Sequence, residues 1–312
     1  MTLTRRDFLK LAGAAGVTTA FGPEKTLAGA AAPAAHSSLD FVFFTDTHIE
    51  PELDAPHGCD MCFRKIASLK PEFSIMGGDI VYDALGVTPK RAEAVFDLYK
   101  KAEQLLQMPV YHTFGNHDAF GILTKGVPTN DPRYGKKLYE DRIGKTYYSF
   151  DRKGCHFVIL DSIQPTPDRL WEARVDQNQL AWLAADLQNA GRQTPVMAAI
   201  HVPLVTAFQT YAERLAANQK YNTLTVANAP EVLAKFQGYN VIAVLQGHTH
   251  VTEIVEHKNV KFITSGAVCG NWWHGPRMGA PEGFMVVSLR DGKISTRYET
   301  YGFHSVDPRE KF

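Results

Sequence analysis

The sequence lacks an excess of either charge, because its 312 residues include 33 lysines and arginines and 33 aspartates and glutamates. It also lacks a long basic run, so we expect no binding to nucleic acid polymers through general electrostatics. It has no apolar run long enough to predict a stable transmembrane span in the mature protein. With 45% hydrophobic residues, the composition is that of a globular chain that buries a sizeable core in one domain or two.

Cysteine is also scarce. The chain has only Cys59, Cys62, Cys155 and Cys269, too few for the disulfide framework of a small secreted protein. No second Cys-x-x-Cys pair completes a zinc site with the first, and Phe63 stands where a c-type haem would need a histidine. We therefore expect the first pair to be two half-buried thiols or one local disulfide.

The N-terminal region has the features of an export signal. Residues 5–9 have the sequence RRDFL, and a mildly apolar stretch follows over residues 11–21. Small residues at 28–35 offer Ala-x-Ala cleavage sites. The region resembles a twin-arginine signal peptide, which implies the twin-arginine export machinery as a partner. We assign residues 1–35 to this signal and a small-residue linker, and we expect the mature protein to be periplasmic or secreted.

The rest of the chain alternates between strand-like and helix-like segments. Continuous apolar runs, which are typical of strands covered on both faces, lie at residues 41–44, 73–76, 110–114, 157–160, 196–200 and 241–245. Helical spacing is found at residues 59–70, 90–107, 176–190 and 230–237. Short strands with a hairpin signal at Asp291-Gly292 dominate the end of the chain. We expect an α/β layered domain over residues 36–312, with a C-terminal β-rich portion at about residues 251–312.

Five of the strand-like runs lead to side chains that bind metals. These candidate ligands are Asp46, His48, Asp79, Asn116, His201, His248 and His250. In an open α/β sheet the carboxyl ends of the strands form the binding crevice, so groups far apart in sequence converge there. A single histidine after a strand is more often a packed residue. Candidate ligands at the ends of five strands together, however, predict a metal site.

The types of ligand indicate the chemistry. Imidazole, carboxylate and amide groups without thiolate suit Mn, Fe or Zn. Seven ligands exceed the needs of one tetrahedral zinc ion. They suit two divalent or mixed-valence ions roughly 3.5–4 Å apart that share a carboxylate. Such a pair can support the hydrolysis of phosphate esters by in-line attack of metal-bound hydroxide.

The candidate ligands lie in five short motifs: Asp46-x-His48, Gly78-Asp79, Gly115-Asn116-His117-Asp118, His201 and Gly247-His248-x-His250. Together these motifs resemble the five sequence blocks of the calcineurin-like metallophosphoesterase superfamily, and they span residues 46–250. The resemblance implies a four-layer αββα sandwich of two mixed β-sheets flanked by helices, with the metal site at the C-terminal ends of the strands. The ligand assignment that it implies is Asp46, His48 and His250 on one ion, Asn116, His201 and His248 on the other, and Asp79 as the bridge.

The resemblance also implies a catalytic role for His117. This residue matches the family histidine that stabilises the transition state or protonates the leaving oxygen, work that suits a group of near-neutral pKa. Where the Ser/Thr protein phosphatases of the superfamily have an aspartate that orients this histidine, the chain has Tyr82, and the acid is Asp83. This difference argues against a dyad with His117, and we expect Tyr82 to be a wall or core residue rather than a ligand.

The sequence offers one candidate for a substrate-binding wall. Small residues followed by Asn271, Trp272, Trp273 and His274 come after the last motif and a strand pair. Two indoles and an imidazole suit the organic part of a substrate, although paired tryptophans are commoner in cores.

The leading hypothesis is a phosphodiesterase, since the motif spacing is closest to the cyclic-nucleotide phosphodiesterase-like branch. The alternatives are a broad phosphomonoesterase and a non-catalytic metal-binding envelope protein. Nothing in the sequence identifies a nucleobase, a lipid or a sugar in the phosphate ester substrate.

Overall fold

The computed structural model describes residues 38–212 and 220–309, so the predicted signal peptide lies outside the described residues. The strands are β1 (Leu39–Phe44), β2 (Ser74–Met76), β3 (Val110–His112), β4 (Tyr148–Arg152), β5 (Cys155–Leu160), β6 (Ile163–Pro165), β7 (Trp171–Ala173), β8 (Val196–Ile200), β9 (Val241–Gln246), β10 (Glu253–His257), β11 (Val260–Thr264), β12 (Gly283–Arg290) and β13 (Lys293–Thr300). The helices are α1 (Ala55–Ser68), α2 (Pro89–Glu103), α3 (Lys137–Arg142), α4 (Gln177–Ala190), α5 (Phe208–Tyr211) and α6 (Ala229–Phe236).

Two mixed sheets form the centre of the fold. The five-stranded sheet has the order β13-β12-β1-β2-β3, and the six-stranded sheet has the order β10-β11-β9-β8-β5-β4. In the first sheet β1, β2 and β3 are parallel, while β12 pairs antiparallel with both β1 and β13. In the second sheet β5, β8, β9 and β11 are parallel, with β4 and β10 antiparallel at the edges. Helices flank these sheets, and the predicted fold class is confirmed.

The two sheets pack against each other through alternate residues of their strands. Phe41 of β1 stacks on Phe73 at 4.9 Å between ring centroids and meets Phe157 of β5 edge-on at 5.5 Å. The alternate residues of the same strand, Val42 and Phe44, belong to a second core cluster. This cluster also includes side chains of α1 and α2. Burial on both faces explains the continuous apolar run in β1, and each fully buried side chain of this size stabilises the fold by about 1.5–3 kcal/mol.

Side-chain caps set the N-terminal ends of α2 and α4. Thr88 accepts a hydrogen bond from the backbone N–H of Arg91 at 3.4 Å, and α2 starts at Pro89. Asp176 caps α4 in the same way through the N–H of Gln179 at 2.8 Å. The helix α1 starts at Ala55, earlier than predicted, because its first turn contains a proline and a glycine that the helical pattern does not reveal.

The structure differs from the predicted elements in two respects. The strand β3 is at the edge of its sheet, so its residues are half-buried rather than covered on both faces. The strand β4 and the separate β6–β7 hairpin were not predicted. The C-terminal strands join both sheets, since β10 and β11 extend the second sheet while β12 and β13 extend the first.

All four cysteines are free and buried. Cys59 and Cys62 lie in the core, fully buried rather than half-buried, without the local disulfide that was the alternative. Among residues 38–212 and 220–309, no helix has both the length and the apolar character needed to cross a bilayer.

Candidate metal centre

The loops after β1, β2, β8 and β9 meet at one edge of the two sheets. The backbone N–H of Asp46 donates to Gly78 O, and that of His48 donates to Asp79 O, both at 3.0 Å. The N–H of His248 donates to Asp46 Oδ2 at 3.0 Å, which connects the loops of the two sheets. The candidate ligands on these loops are therefore neighbours in space.

Asp46, His48 and His250 form one cluster of buried metal-binding atoms. The Nε2 atoms of His48 and His250 are 3.1 Å apart. Asp46 Oδ1 lies 3.2 Å from His250 Nε2 and 3.8 Å from His48 Nε2. A neutral His48 with its proton on Nε2 can donate to His250 Nε2, whereas without a proton on either Nε2 the two nitrogens face each other with lone pairs, an arrangement that a cation between them would satisfy.

Asp79, His201 and His248 form a second cluster. Asp79 Oδ2 lies 3.1 Å from His201 Nε2, and the ring of His248 meets that of His201 edge-on at 5.1 Å. Each of the three offers one ligand atom within 4.8 Å of the others. Asn116 follows β3 on the same edge, and its Oδ1 is buried.

Asp79 lies between the two clusters. Its Oδ2 atom is 3.1 Å from His201 Nε2 and 3.5 Å from His48 Nε2, so one oxygen faces both groups of histidines. Its Oδ1 atom accepts a hydrogen bond from the backbone N–H of His117 at 2.8 Å, which fixes the carboxylate plane. This geometry is what a carboxylate shared by two cations requires.

Several buried atoms of the clusters have no hydrogen-bond partner among the described residues. They include Asp46 Oδ1, Asn116 Oδ1 and His201 Nε2. A buried polar atom without a partner costs about 1–3 kcal/mol, so such groups normally mark a ligand or ion. The two oxygens have lone pairs of the kind that Mn, Fe and Zn accept, as does His201 Nε2 once it has lost its proton, and the residues therefore fit bound metal.

The backbone of the candidate ligands is unusual. Asp46, His48, Asp79, His248 and His250 have φ values of 55°, 39°, 54°, 70° and 59°. This left-handed region is uncommon for residues other than glycine and costs on the order of 1–3 kcal/mol per residue. The hydrogen bonds between the loops hold these conformations, and such outliers cluster at functional sites.

Two glycines allow the loops to approach the carboxylates closely. A Cβ atom at Gly115 would overlap the backbone nitrogen and Oδ1 of Asp79. At Gly247 it would overlap Thr45 Oγ1 and lie 2.8 Å from Asp46 Oδ2. The glycines beside the ligands in sequence are therefore a steric requirement of the site.

Burial and mutual attraction determine the protonation states. Burial alone would raise the pKa of Asp46, but the imidazoles of His250 and His201 together outweigh it and hold the pKa at about 2. Burial lowers the pKa of His248 to about 4 and that of His48 well below 6.5. For His201 the carboxylate of Asp79 outweighs burial and raises the pKa to about 9. His201 must therefore release a proton when a cation binds.

Backbone carbonyl groups orient two of the imidazoles. Nδ1 of His201 donates to Gly77 O at 2.9 Å, and Nδ1 of His250 donates to Gly270 O at 2.6 Å. These bonds leave both Nε2 atoms facing the clusters, as is usual for histidines that bind metal. The thiol of Cys269 is 3.8 Å from Nδ1 of His250, and with His48 and His250 it offers one ligand atom within 4.8 Å of the others.

His117 lies at the open side of the clusters. Its ring is 4.8 Å from that of His48 and stacks on Tyr82 at 5.6 Å, and its side chain is 21% exposed. Asp83 Oδ2 is 3.9 Å from His117 Nδ1, within ion-pair range but too far for a hydrogen bond. Tyr82 is thus a wall residue, and Asp83 has no direct bond to the histidine.

The predicted substrate-binding segment is only partly beside the clusters. The ring of Trp272 lies 4.6 Å from that of His250. Trp273 is fully buried, and its indole N–H donates to His48 O at 3.0 Å, so it has no exposed surface for the predicted substrate contact. Asn271 is buried, and Nδ1 of His274 donates to Asp307 O at 2.8 Å.

Two side chains near the clusters were missed by sequence reasoning. Trp171, on the β6–β7 hairpin, meets His248 edge-on at 6.0 Å. Arg277 lies over the ring of Trp272, with its guanidinium carbon 5.5 Å from the ring centroid. Neither belongs to a motif, and their positions depend on the paths of two loops.

Comparison with known proteins gives a family match. The family model "Calcineurin-like phosphoesterase" matches residues 39–252, and the model of the twin-arginine translocation pathway signal sequence matches residues 2–22. The second match confirms the predicted export signal. A comparison with curated proteins gives no match.

Solved structures with a similar fold include two phosphatases and one anchor protein. A dimetal phosphatase from Danio rerio has 14% identity and a TM-score of 0.59, with 85% of this chain and 96% of that chain covered. The purple acid phosphatase PPD1 from yellow lupin has 14% identity and a TM-score of 0.57, with coverage of 86% and 52%. GAP50, "the anchor in the inner membrane complex of Plasmodium", has 15% identity and a TM-score of 0.53, with coverage of 88% and 90%.

At these identities the structural similarity supports the fold alone, whereas the family model covers most of the chain and all seven candidate ligands. The chain therefore belongs to the calcineurin-like phosphoesterase family of metal-dependent hydrolases.

Proposed function

We propose that the protein is a phosphodiesterase with a dinuclear metal centre that acts in the periplasm, or outside the cell, after twin-arginine export. In this proposal residues 1–35 are the signal peptide and linker, and residues 36–312 form the phosphoesterase domain with its β-rich portion from about residue 251. The observation that carries the proposal is the position of Asp79, whose Oδ2 atom faces His48 at 3.5 Å and His201 at 3.1 Å.

The proposed ligand sets correspond to the two clusters. Asp46, His48 and His250 hold one ion, Asn116, His201 and His248 hold the other, and Asp79 is shared. When bound, two ions of Mn, Fe or Zn supply positive charge that lowers the pKa of a water molecule and neutralises the phosphoryl oxygens. The contribution of the chain is to hold the ligand atoms in place before the substrate arrives.

His117 is suited to give a proton to the leaving oxygen. Its backbone N–H is bound to Asp79, which fixes its distance from the proposed bridge, while its imidazole is 21% exposed, with Nδ1 buried. A general acid must come within hydrogen-bond distance of the oxygen that it protonates. The stacking of Tyr82 on the ring limits its rotation and so supports that approach.

The walls of the centre favour a diester. Tyr82, Trp171 and Trp272 each lie against a different histidine of the site, so apolar surface is present on several sides of the metal cluster. A diester has an organic group on both sides of the scissile phosphate, and aromatic walls suit such groups.

Turnover of two chromogenic esters tests the proposal. We expect the metal-replete protein to hydrolyse bis-p-nitrophenyl phosphate with a higher kcat/KM than p-nitrophenyl phosphate. Asp79→Asn should abolish turnover, whereas the matched control Asp186→Asn should retain it, because Asp186 pairs with His156 at 2.8 Å and takes no part in the clusters.

The other outcomes identify the alternatives. Preference for the monoester would favour a broad phosphomonoesterase. Bound metal without turnover of either ester would favour a non-catalytic metal-binding envelope protein, an alternative worth testing because one protein of similar fold is described as an anchor.

A further inference from the structure

Arg277 is held on a rigid turn beside the metal centre. It exchanges two backbone hydrogen bonds of 2.8 Å with Ala280. The residues between them, Met278 and Gly279, have φ values of 48° and 83°, the conformation of a tight type I′ turn. Such a turn fixes the direction in which the side chain of Arg277 leaves the backbone.

The side chain of Arg277 reaches the wall of the centre. Its guanidinium carbon lies 5.5 Å from the ring centroid of Trp272. The same indole is 4.6 Å from the ring of His250, a proposed ligand. The indole of Trp272 therefore separates the guanidinium from the proposed site of the scissile phosphate. The cation–π contact with this indole limits the mobility of the guanidinium.

The guanidinium of Arg277 has hydrogen-bond donors for which the described residues provide no acceptor. Its Nε atom is buried without a hydrogen-bond partner, and no carboxylate among residues 38–212 and 220–309 forms an ion pair with it. Partial burial lowers the pKa of the guanidinium from its usual value. By contrast, Arg91 and Arg133 bind carboxylates through two nitrogens each. A partly buried arginine without an acid normally has an anion as its partner.

We propose that Arg277, stacked on Trp272, binds a second anionic group of the substrate, a phosphate or carboxylate separate from the phosphate that is cleaved. This inference rests on the proposed function of the neighbouring metal centre. It assigns the substrate to the class of phosphoric esters with at least one further negative charge. The planar guanidinium can bind two oxygens of such a group at once, which gives direction as well as attraction.

Calorimetric titration with two nucleotides tests this proposal separately from catalysis. The probes are thymidine 3′,5′-bisphosphate and thymidine 5′-monophosphate, which differ only in the second phosphate, added to the metal-replete protein. We expect the bisphosphate to bind roughly 10- to 100-fold more tightly than the monophosphate. This is the gain in affinity that one charge-assisted bidentate contact gives. Arg277→Gln should bring the ratio of the two Kd values close to one.

The matched control is Arg192→Gln. Arg192 also stacks on an aromatic ring, that of Tyr239 at 5.4 Å, and donates to Gly238 O, but it has no contact with the metal-binding clusters. This variant should keep the preference of the wild type. Arg277→Lys should keep only part of it, because an ammonium group lacks the planar fork.

Three results would overturn the inference: equal affinity of the wild type for both nucleotides, no binding of either, or a preference that survives in Arg277→Gln. Turnover of bis-p-nitrophenyl phosphate by the wild type, measured on the same preparation, reports on the proposed function alone. A protein that discriminates between the nucleotides but hydrolyses no ester would support the anion site and contradict the phosphodiesterase.

Discussion

Replacing Gly115 by alanine tests how tightly the loops are packed around Asp79. A methyl group at position 115 would overlap the backbone nitrogen and Oδ1 of Asp79, and a backbone atom cannot turn aside as a flexible side chain can. Asp79 must therefore move by roughly 1 Å, a displacement that typically lowers turnover by about 10²-fold. The overpacking should also destabilise the fold by about 1–3 kcal/mol.

The assay compares turnover of bis-p-nitrophenyl phosphate, metal content and thermal unfolding of Gly115→Ala with those of Gly126→Ala. Gly126 is the matched control, since a Cβ atom there meets nothing within 4 Å. We expect the control to behave as the wild type does. Wild-type turnover and metal content in Gly115→Ala would refute the claim that close packing fixes the carboxylate of Asp79, the proposed bridge.

Three further predictions concern single residues. His117→Ala should lower turnover by roughly 10²–10⁴-fold with metal content unchanged, and loss of metal would instead identify His117 as a ligand. Trp273→Phe removes the donor to His48 O and should lower the free energy of unfolding by about 1–3 kcal/mol and weaken metal binding, as chemical denaturation and metal titration would measure. Hydrogen bonds to Asp186 and Asp151, opposed by burial, raise the pKa of His156 above 6.5 in the folded protein. The stability that these bonds add is therefore complete below the pKa that His156 has in the unfolded chain. It is lost as the pH rises through the pKa of His156 in the folded protein. The difference in Tm between wild type and His156→Gln should therefore shrink as the pH rises above 6.5, and a difference that grows would contradict this assignment.

The layered fold and the convergence of the candidate ligands could be predicted because the signals are local. Each of the runs before Asp46, Asp79, His201 and His248 is long enough to be a strand, and parallel strands bring the residues after their carboxyl ends to one edge of the sheet. The glycines beside these residues add a second local signal, which the close approach of Gly115 to Asp79 now explains.

The walls of the site could not be predicted in the same way. Trp272 and Trp273 are neighbours in sequence with similar φ values of 49° and 66°, yet one lies over His250 and the other is buried behind His48. Which indole faces the site depends on how the loop is anchored by the C-terminal segment. Trp171 and Arg277 are brought to the site by turns whose course depends on tertiary contacts rather than on a periodic pattern.

The most direct test of the proposed dinuclear centre is the number of metal ions bound per chain with and without the carboxylate of Asp79. Metal analysis after dialysis should find two ions per chain in the wild type and in Asp186→Ala, and none in Asp79→Ala, because a shared carboxylate supports both. A wild type that saturates at one ion, or an Asp79→Ala variant that still holds two, would contradict a centre bridged by this carboxylate.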